Sequence, residues 1–315
     1  MAGSTVCTRG SCQFRFSKLD VAKDVATQSA MQTGVMDFLI VIARFAALSN
    51  RWNLLLDPFP TLVDENGKVV TSPENPNIEL CRAILKDFPV MKYLSQSESQ
   101  GAVAERLKRH HPLAQSMMNW ILGSNRAVLI KLTPQQNITM YGSRHQFRLI
   151  MQSPEREQRF QELKAKHGAK WCHHGSKSEC WFSIMRNGLK NASNTKLMVN
   201  AAAYQAGIYL SPLASTSFSY SNIPSATNDS KMIAHMNEEF IDPEKDFRCI
   251  AICEVIDHEL RKPTTSIWVQ PHEDHVVTRF LIVFTHGHSA GYNVKLDQPT
   301  NQNILNETLR MTEMM

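Results

Sequence analysis

Apolar residues in the first part of the chain recur every three or four positions, which is the spacing of one buried face of a helix. The pattern is longest in residues 17–50, where a continuous apolar stripe begins at Met36. It returns in residues 75–93 and in residues 102–122, the latter interrupted at Pro112 because proline breaks a helix. This part of the chain is therefore predicted to be mainly helical, with the stripes packed into a core.

Short apolar runs predict strands. In the first part of the chain such runs occur at residues 12–16 and 52–56. The residues Asp64-Glu65-Asn66-Gly67 predict a tight hairpin turn, with a strand returning at residues 68–70.

After residue 126 the pattern becomes strand-like. One helix is predicted here because Ser153 can cap it, Pro154 suits its first position, and Gly168 follows its end. The change predicts two regions, a mainly helical one over residues 1–125 and a β-rich one over residues 126–315. The predicted strands of the second region are residues 127–132, 146–151, 249–256, 266–270 and 276–284.

The composition fits a globular chain with a sizeable core, since 43% of the 315 residues are hydrophobic and 20% are charged. The net charge of +5 is spread along the sequence; it suits an anionic ligand such as a dinucleotide and does not predict nucleic-acid binding. No apolar run reaches membrane-spanning length, so no membrane association is predicted. Seven unevenly spaced cysteines predict reduced thiols in the cytoplasm or the nucleus.

The tripeptide His174-Gly175-Ser176 and a short strand carry residues suited to a binding site. A helix follows the tripeptide and is predicted to stop at Gly188, because glycine supplies the left-handed residue that a helix end needs. The short strand is predicted at residues 207–210. A His-Gly-Ser tripeptide by itself is more often a turn than a site, and tyrosines can be core aromatics, so order and spacing carry the argument. The candidates are His174, Gly175, Ser176, Tyr209, Ser217 and Tyr220.

In this order and spacing the candidates resemble the catalytic core of the poly(ADP-ribose) polymerase family of ADP-ribosyltransferases. The resemblance is closest to the mono-ADP-ribosyltransferase branch with family members six and eight, and it extends from about Cys12 to Phe280. Residues 43–52 and 187–193 also resemble this branch. The resemblance implies an α+β fold, an ADP-ribosyltransferase core of two antiparallel sheets with a helical N-terminal region and a cleft for NAD between the sheets.

The resemblance implies that residues of the first motif contact NAD at both its adenosine end and its nicotinamide end. His174 is implied to bond a hydroxyl of the adenosine ribose, and Ser176 to contact ribose. Gly175 is implied to clasp the nicotinamide amide through its backbone, an approach that the missing side chain permits. His173 departs from the family pattern, in which an aromatic or apolar residue commonly precedes the motif histidine.

The remaining motifs are implied to surround the nicotinamide and its ribose. Tyr209 is implied to lie beside that ribose, Ser217 to bind the amide, and Tyr220 to stack on nicotinamide. Members that extend polymers carry a glutamate on the late strand, where it bonds the ribose 2′-hydroxyl and activates the acceptor. The matching position here is Phe280, or Leu281 if the register slips by one. Neither side chain accepts a hydrogen bond, so the resemblance implies transfer of one ADP-ribose unit.

The expected activity is NAD-dependent mono-ADP-ribosylation, in which nicotinamide is released and ADP-ribose passes to a protein side chain, the chain's own included. His174, Tyr209 and the third position at Phe280 are the expected catalytic positions. Positive charge develops on the ribose as in glycoside hydrolysis, and nicotinamide leaves without a general acid. NAD is the substrate, and no metal is expected because His286, His288 and the cysteines lack paired ligand spacing. A catalytically weak or inactive module that binds NAD or ADP-ribose, and a NAD glycohydrolase, remain alternatives.

Overall fold

The computed structural model describes residues 33–86, 88, 100–150, 154–193, 203–221, 248–284 and 291–313. The strand predicted at residues 12–16 lies outside these ranges. The described helices are α1 (Thr33–Leu48), α2 (Trp52–Leu55), α3 (Ile78–Lys86), α4 (Gln100–His110), α5 (Ala114–Ser124), α6 (Pro154–His167), α7 (Trp181–Asn187), α8 (Ala214–Ser219) and α9 (Pro299–Glu313). The described strands are β1 (Leu62–Val63), β2 (Val69–Thr71), β3 (Val128–Lys131), β4 (His145–Ile150), β5 (Ala169–Gly175), β6 (Ile208–Leu210), β7 (Arg248–Ile256), β8 (Trp268–Gln270) and β9 (Val276–Phe284).

A five-stranded antiparallel sheet with the order β3-β4-β9-β7-β5 forms the centre of the fold. Its inner strand β9 is buried at all nine positions, because helices cover both faces of the sheet. Side chains along β9 alternate between the two faces: Leu281 and Val283 join a core cluster with α1, whereas Phe280 and Ile282 join one with α8 and α9.

A second, smaller sheet pairs β6 with β8, also antiparallel. It meets the large sheet at one bridge between His173 in β5 and Ser211, just after β6. These two sheets and the surrounding helices confirm the predicted α+β class with antiparallel sheets.

In residues 33–125, as far as the structure describes them, the regular elements are helices and one hairpin. β1 and β2 pair around the predicted turn, where the Asp64 carboxylate accepts the backbone N–H groups of Asn66 and Lys68. The large cluster under α1 also contains sheet residues, and the ring of Phe38 stacks on Phe147 of β4 with centroids 5.2 Å apart. The helical part and the sheet therefore share one core.

The prediction of a strand over residues 52–56 is wrong. These residues form the helical turn α2, in which the Leu56 N–H donates to the Trp52 carbonyl at 2.8 Å. The adjacent residues Leu55 and Leu56 are both buried, which alternating strand side chains facing a single core could not achieve.

The sequence analysis also missed α9, which covers one face of the large sheet through Leu305 and Leu309. These two residues are spaced four apart, and Pro299 occupies the first helical position, where proline is favoured. No helix within the described ranges has the length and hydrophobicity needed to cross a bilayer.

Candidate functional site

A cavity of about 490 Å³ opens where the last residues of β5 face β6 and α8. Its volume is in the range of pockets that hold small molecules and cofactors. All six residues singled out from the sequence as binding residues line it, although they come from three separate elements, β5, β6 and α8, and the residues that directly follow them. They are His174, Gly175, Ser176, Tyr209, Ser217 and Tyr220.

His174 joins the two sheets on the cavity side. Its Nδ1 lies 2.9 Å from the Tyr209 carbonyl oxygen, and because a carbonyl only accepts, Nδ1 carries the proton in this bond. Burial lowers the pKa of His174 below its usual value, so the ring is neutral at physiological pH. Its Nε2 is then an acceptor, which suits a hydroxyl donor such as that of a ribose.

Gly175 allows the backbone of α8 to approach β5. A Cβ atom built on Gly175 would lie 1.9 Å from the Ser217 carbonyl oxygen, closer than any real contact. The Tyr220 N–H donates to the same carbonyl at 3.2 Å, and α8 ends there. This ending leaves the Tyr220 ring 40% exposed at the cavity mouth, where an aromatic ring of a ligand could stack on it.

The Tyr209 hydroxyl lies under a short loop that forms part of the cavity wall. It accepts the Tyr204 N–H at 2.8 Å and donates to the Gln205 carbonyl at 2.9 Å. Gln205 adopts φ +73°, a conformation uncommon for residues other than glycine. Arg261 fixes the loop by donating to the Gln205 side chain and to the Ala206 carbonyl. The loop thus holds the phenol in one place.

The assignment of Phe280 to the third motif position is not supported by the structure. Phe280 is fully buried in the large sheet, with its ring centroid 6.3 Å from that of Trp171, and it does not line the cavity. Leu281 is buried as well, in the core cluster on the opposite face. Both side chains are buried because β9 is the central strand of a sheet that is covered on both faces. The residues of such a strand are apolar because they fill the core, and they are not available to contact a ligand.

Ile267 occupies the cavity wall that the late-strand position was expected to form. It directly precedes β8, and β8 pairs with the strand of Tyr209, with Val269 opposite Tyr209. Residues 266–270 and 276–284 are both apolar runs, so sequence alone did not distinguish the strand beside Tyr209 from the core strand. The side chain of Ile267 accepts no hydrogen bond, so the wall remains apolar at this position.

Several further lining residues were not predicted to belong to the site, and four of them bear on its charge or on the part of the chain that builds it. Arg51 and Leu55 come from the helical N-terminal part, Lys177 directly follows the first motif, and Lys190 lies just after α7. Arg51 lies 3.8 Å from a Glu179 carboxylate oxygen, while Lys190 is held by Glu273 at 2.7 Å. Residues 43–52 resemble the family outside its core, which was the available indication that Arg51 belongs to the site.

No Asp or Glu is among the described residues that line the cavity, whereas Arg51, Lys177 and Lys190 are. A cationic wall without carboxylates suits a pyrophosphate group, because charge-assisted hydrogen bonds to phosphate are strong. In the part of the chain that the structure describes, no group of three His, Cys, Asp or Glu side chains is arranged to hold a metal ion.

Comparison with known proteins agrees with this geometry. Residues 142–278 match the family described as the poly(ADP-ribose) polymerase catalytic domain. The chain is 31% identical over 316 residues to protein mono-ADP-ribosyltransferase PARP8 of Homo sapiens, and equally identical to that of Mus musculus. These alignments cover 95% of this chain and 37% of each relative, so the chain spans little more than a third of their length. Residues 142–278, which carry the six predicted binding residues of the cavity, therefore match the poly(ADP-ribose) polymerase catalytic domain.

Proposed function

We propose that this chain is an NAD-dependent protein mono-ADP-ribosyltransferase, which transfers one ADP-ribose to a protein side chain and releases nicotinamide. The observation that carries the proposal is the convergence of His174, Gly175, Tyr209, Ser217 and Tyr220 on one cavity with a cationic wall. The names of the relatives support the same activity.

Different residues of the cavity contact different parts of the dinucleotide. The neutral His174 offers Nε2 to a ribose hydroxyl, and the Gly175 backbone offers an N–H and a C=O to the nicotinamide amide. Tyr220 provides a ring for stacking, and Lys177 with Arg51 provides positive charge for the phosphates. Fixing both halves of the substrate in this way orients the glycosidic bond toward an acceptor.

Ile267 explains why one unit is transferred. Elongation needs an acceptor hydroxyl to be activated on the growing ADP-ribose, and an apolar side chain cannot accept that proton. A carboxylate or thiolate acceptor is already deprotonated and needs no such base. We therefore propose nucleophilic acceptors of this kind on target proteins, and on the chain itself.

The described cysteines support action in a reducing compartment, which we propose to be the cytoplasm or the nucleus. All five of them are buried and unpaired, and they lie at Cys81, Cys172, Cys180, Cys249 and Cys253.

Labelled NAD mixed with the purified chain tests the proposal. Label should become linked to protein in the wild type and be lost in His174→Ala and in Tyr220→Ala. The Gly123→Ala variant is the matched control, because Gly123 lies in α5 and the space that an alanine methyl group would enter there is open.

Three outcomes separate the alternatives. Free labelled ADP-ribose without labelled protein would indicate a NAD glycohydrolase. Binding of NAD without either product would indicate a binding module, and Ile267 is the feature that favours this second candidate. Absence of NAD binding would refute the proposal and both alternatives.

A further inference from the structure

His173 is a buried polar residue for which the proposed function has no role. It is fully buried, and it stands directly before His174 on β5, with its side chain on the opposite face of the sheet. A buried imidazole there requires partners of its own, because an unpaired buried polar group is costly.

The ring of His173 has a partner at each nitrogen. Nε2 lies 2.7 Å from the Tyr141 hydroxyl, and Nδ1 lies 3.3 Å from the Ser211 carbonyl oxygen. Since the carbonyl only accepts, Nδ1 donates to it, and Nε2 accepts the proton of the Tyr141 hydroxyl. Tyr141 is also fully buried, so neither its hydroxyl nor the His173 ring can form a hydrogen bond to solvent instead.

Ser211 lies in the cavity wall between β6 and α8 and connects these two elements. It stands two residues after Tyr209, and three residues later α8 begins and leads to Ser217, whose carbonyl touches Gly175. The backbones of His173 and Ser211 also exchange two hydrogen bonds, of 2.7 Å and 2.9 Å. The imidazole therefore strengthens the described backbone bridge between the two sheets.

Two consecutive histidines thus fasten the same short segment from opposite faces of β5. On the cavity face His174 binds the Tyr209 carbonyl, and on the covered face His173 binds the Ser211 carbonyl. We propose that His173 is a positioning residue, which with Tyr141 sets the distance between the His174-Gly175 strand and the Tyr209–Ser217 segment and so the fit of NAD. This inference deepens the proposed function and rests on it for its ligand.

The test compares His173→Phe, Tyr141→Phe and the double variant, with Thr278→Val as the matched control. Thr278 is buried on β9, bonds only weakly to the Cys253 thiol at 3.6 Å, and does not line the cavity. Thermal melting reports stability, and calorimetric titration with 3-aminobenzamide, a nicotinamide analogue, reports the geometry of the pocket.

We expect His173→Phe to lower both the melting temperature and the affinity for the analogue, the latter about tenfold, because one net hydrogen bond to Ser211 is lost. The double variant should recover the melting temperature, since the orphaned Tyr141 hydroxyl is gone, while the affinity stays low. Thr278→Val should change stability alone. Recovery of affinity in the double variant, or unchanged affinity in His173→Phe, would show that the histidine serves packing only and would overturn the inference.

A chain that binds no analogue would refute the proposed function, and the inference is then decided by hydrogen exchange. The Ser211 amide should exchange at least about tenfold faster in the double variant than in the wild type, because opening of the bridge costs less without the ring. Equal exchange would overturn the positioning role independently of any ligand.

Discussion

At the scale of single residues, the close packing of α8 against the large sheet depends on Gly175, which has no side chain. The Ser217 carbonyl carbon lies 2.6 Å and its Cα 2.9 Å from the position of a Gly175 Cβ, so three backbone atoms would have to move together. A flexible side chain could turn away, but this neighbour is the main chain of a helix. The sequence analysis selected Gly175 as a site residue, and the close approach of the Ser217 backbone gives the physical reason why this position needs a glycine.

Gly175→Ala should abolish detectable binding of a nicotinamide analogue while the chain still folds, because the displaced α8 carries Ser217 and Tyr220 out of place. Calorimetric titration measures the binding. Gly123→Ala is the control and should be neutral or stabilising by up to about 1 kcal/mol, since alanine is the better helix former. Wild-type affinity in Gly175→Ala would contradict this account.

The histidine pair gives the chain a predictable sensitivity to acid. Burial lowers the pKa of His173 to about 3, and the unfolded chain binds that proton near 6.5. Between these values the unfolded state holds the extra proton, so stability is full above pH 6.5 and declines as pH falls toward 3. The decline from this residue approaches about 1.4 kcal/mol per pH unit.

Urea unfolding at pH 7, 6 and 5 checks this dependence in the wild type and in the double variant His173→Phe with Tyr141→Phe. The double variant should lose stability less steeply below pH 6.5, because its phenylalanine binds no proton. Parallel slopes in the two proteins would show that other groups govern the acid response.

At the scale of elements, α6 is attached to the sheet by charge. Glu254 on β7 and Arg279 on β9 are both almost fully buried, and the Arg279 Nε lies 2.6 Å from the Glu254 carboxylate. Arg279 also makes a bidentate contact with Glu157 of α6 at 2.7 Å and 2.8 Å, and Lys164 of α6 binds Glu254. Glu157 consequently has a lowered pKa; burial opposes that shift, but its bonds to Arg279 outweigh it.

Glu254→Gln should destabilise the fold by about 3 kcal/mol, because it removes the more deeply buried of the two carboxylates that neutralise Arg279. Urea unfolding measures the loss, and the affinity for a nicotinamide analogue should not change, since Glu254 is not among the cavity residues. Arg159→Ala removes an exposed pair with Asp274 at 3.4 Å and should cost less than about 1 kcal/mol. Equal losses in the two variants would argue against a network in the core.

Most elements could be predicted because local rules determine them. The Pro112 break between α4 and α5, and the start of α6 at Pro154, follow from proline geometry alone. The position of Phe280 away from the cavity could not be predicted, since β8 and β9 are both apolar and only strand pairing shows which of them lies beside Tyr209. Pairing over this sequence distance is set by the whole sheet and not by either segment.

At the scale of the whole molecule, the boundary predicted near residue 125 divides a shared core. Phe38 stacks on Phe147, and α1 residues join one cluster with the sheet face that carries Leu281. Burial of such apolar surface is the main stabilising term of a fold, so each part needs the other.

A fragment of residues 126–315 expressed alone should lack fixed tertiary structure or aggregate, because removal of α1 exposes that sheet face. Near-ultraviolet circular dichroism and size-exclusion chromatography measure this, with the full chain as the control. A fragment that melts cooperatively and binds a nicotinamide analogue as the full chain does would establish an independent catalytic domain.

The placement of Arg51 and Leu55 on the cavity wall has a consequence for inhibitor chemistry. The Gly175 end of the pocket belongs to the segment that matches the family, residues 142–278, whereas Arg51 and Leu55 lie outside that segment. An extended compound that reaches from Gly175 to Arg51 and Leu55 would contact side chains that the family match does not include. Selectivity for this protein should therefore come from the part of the inhibitor that contacts these two residues.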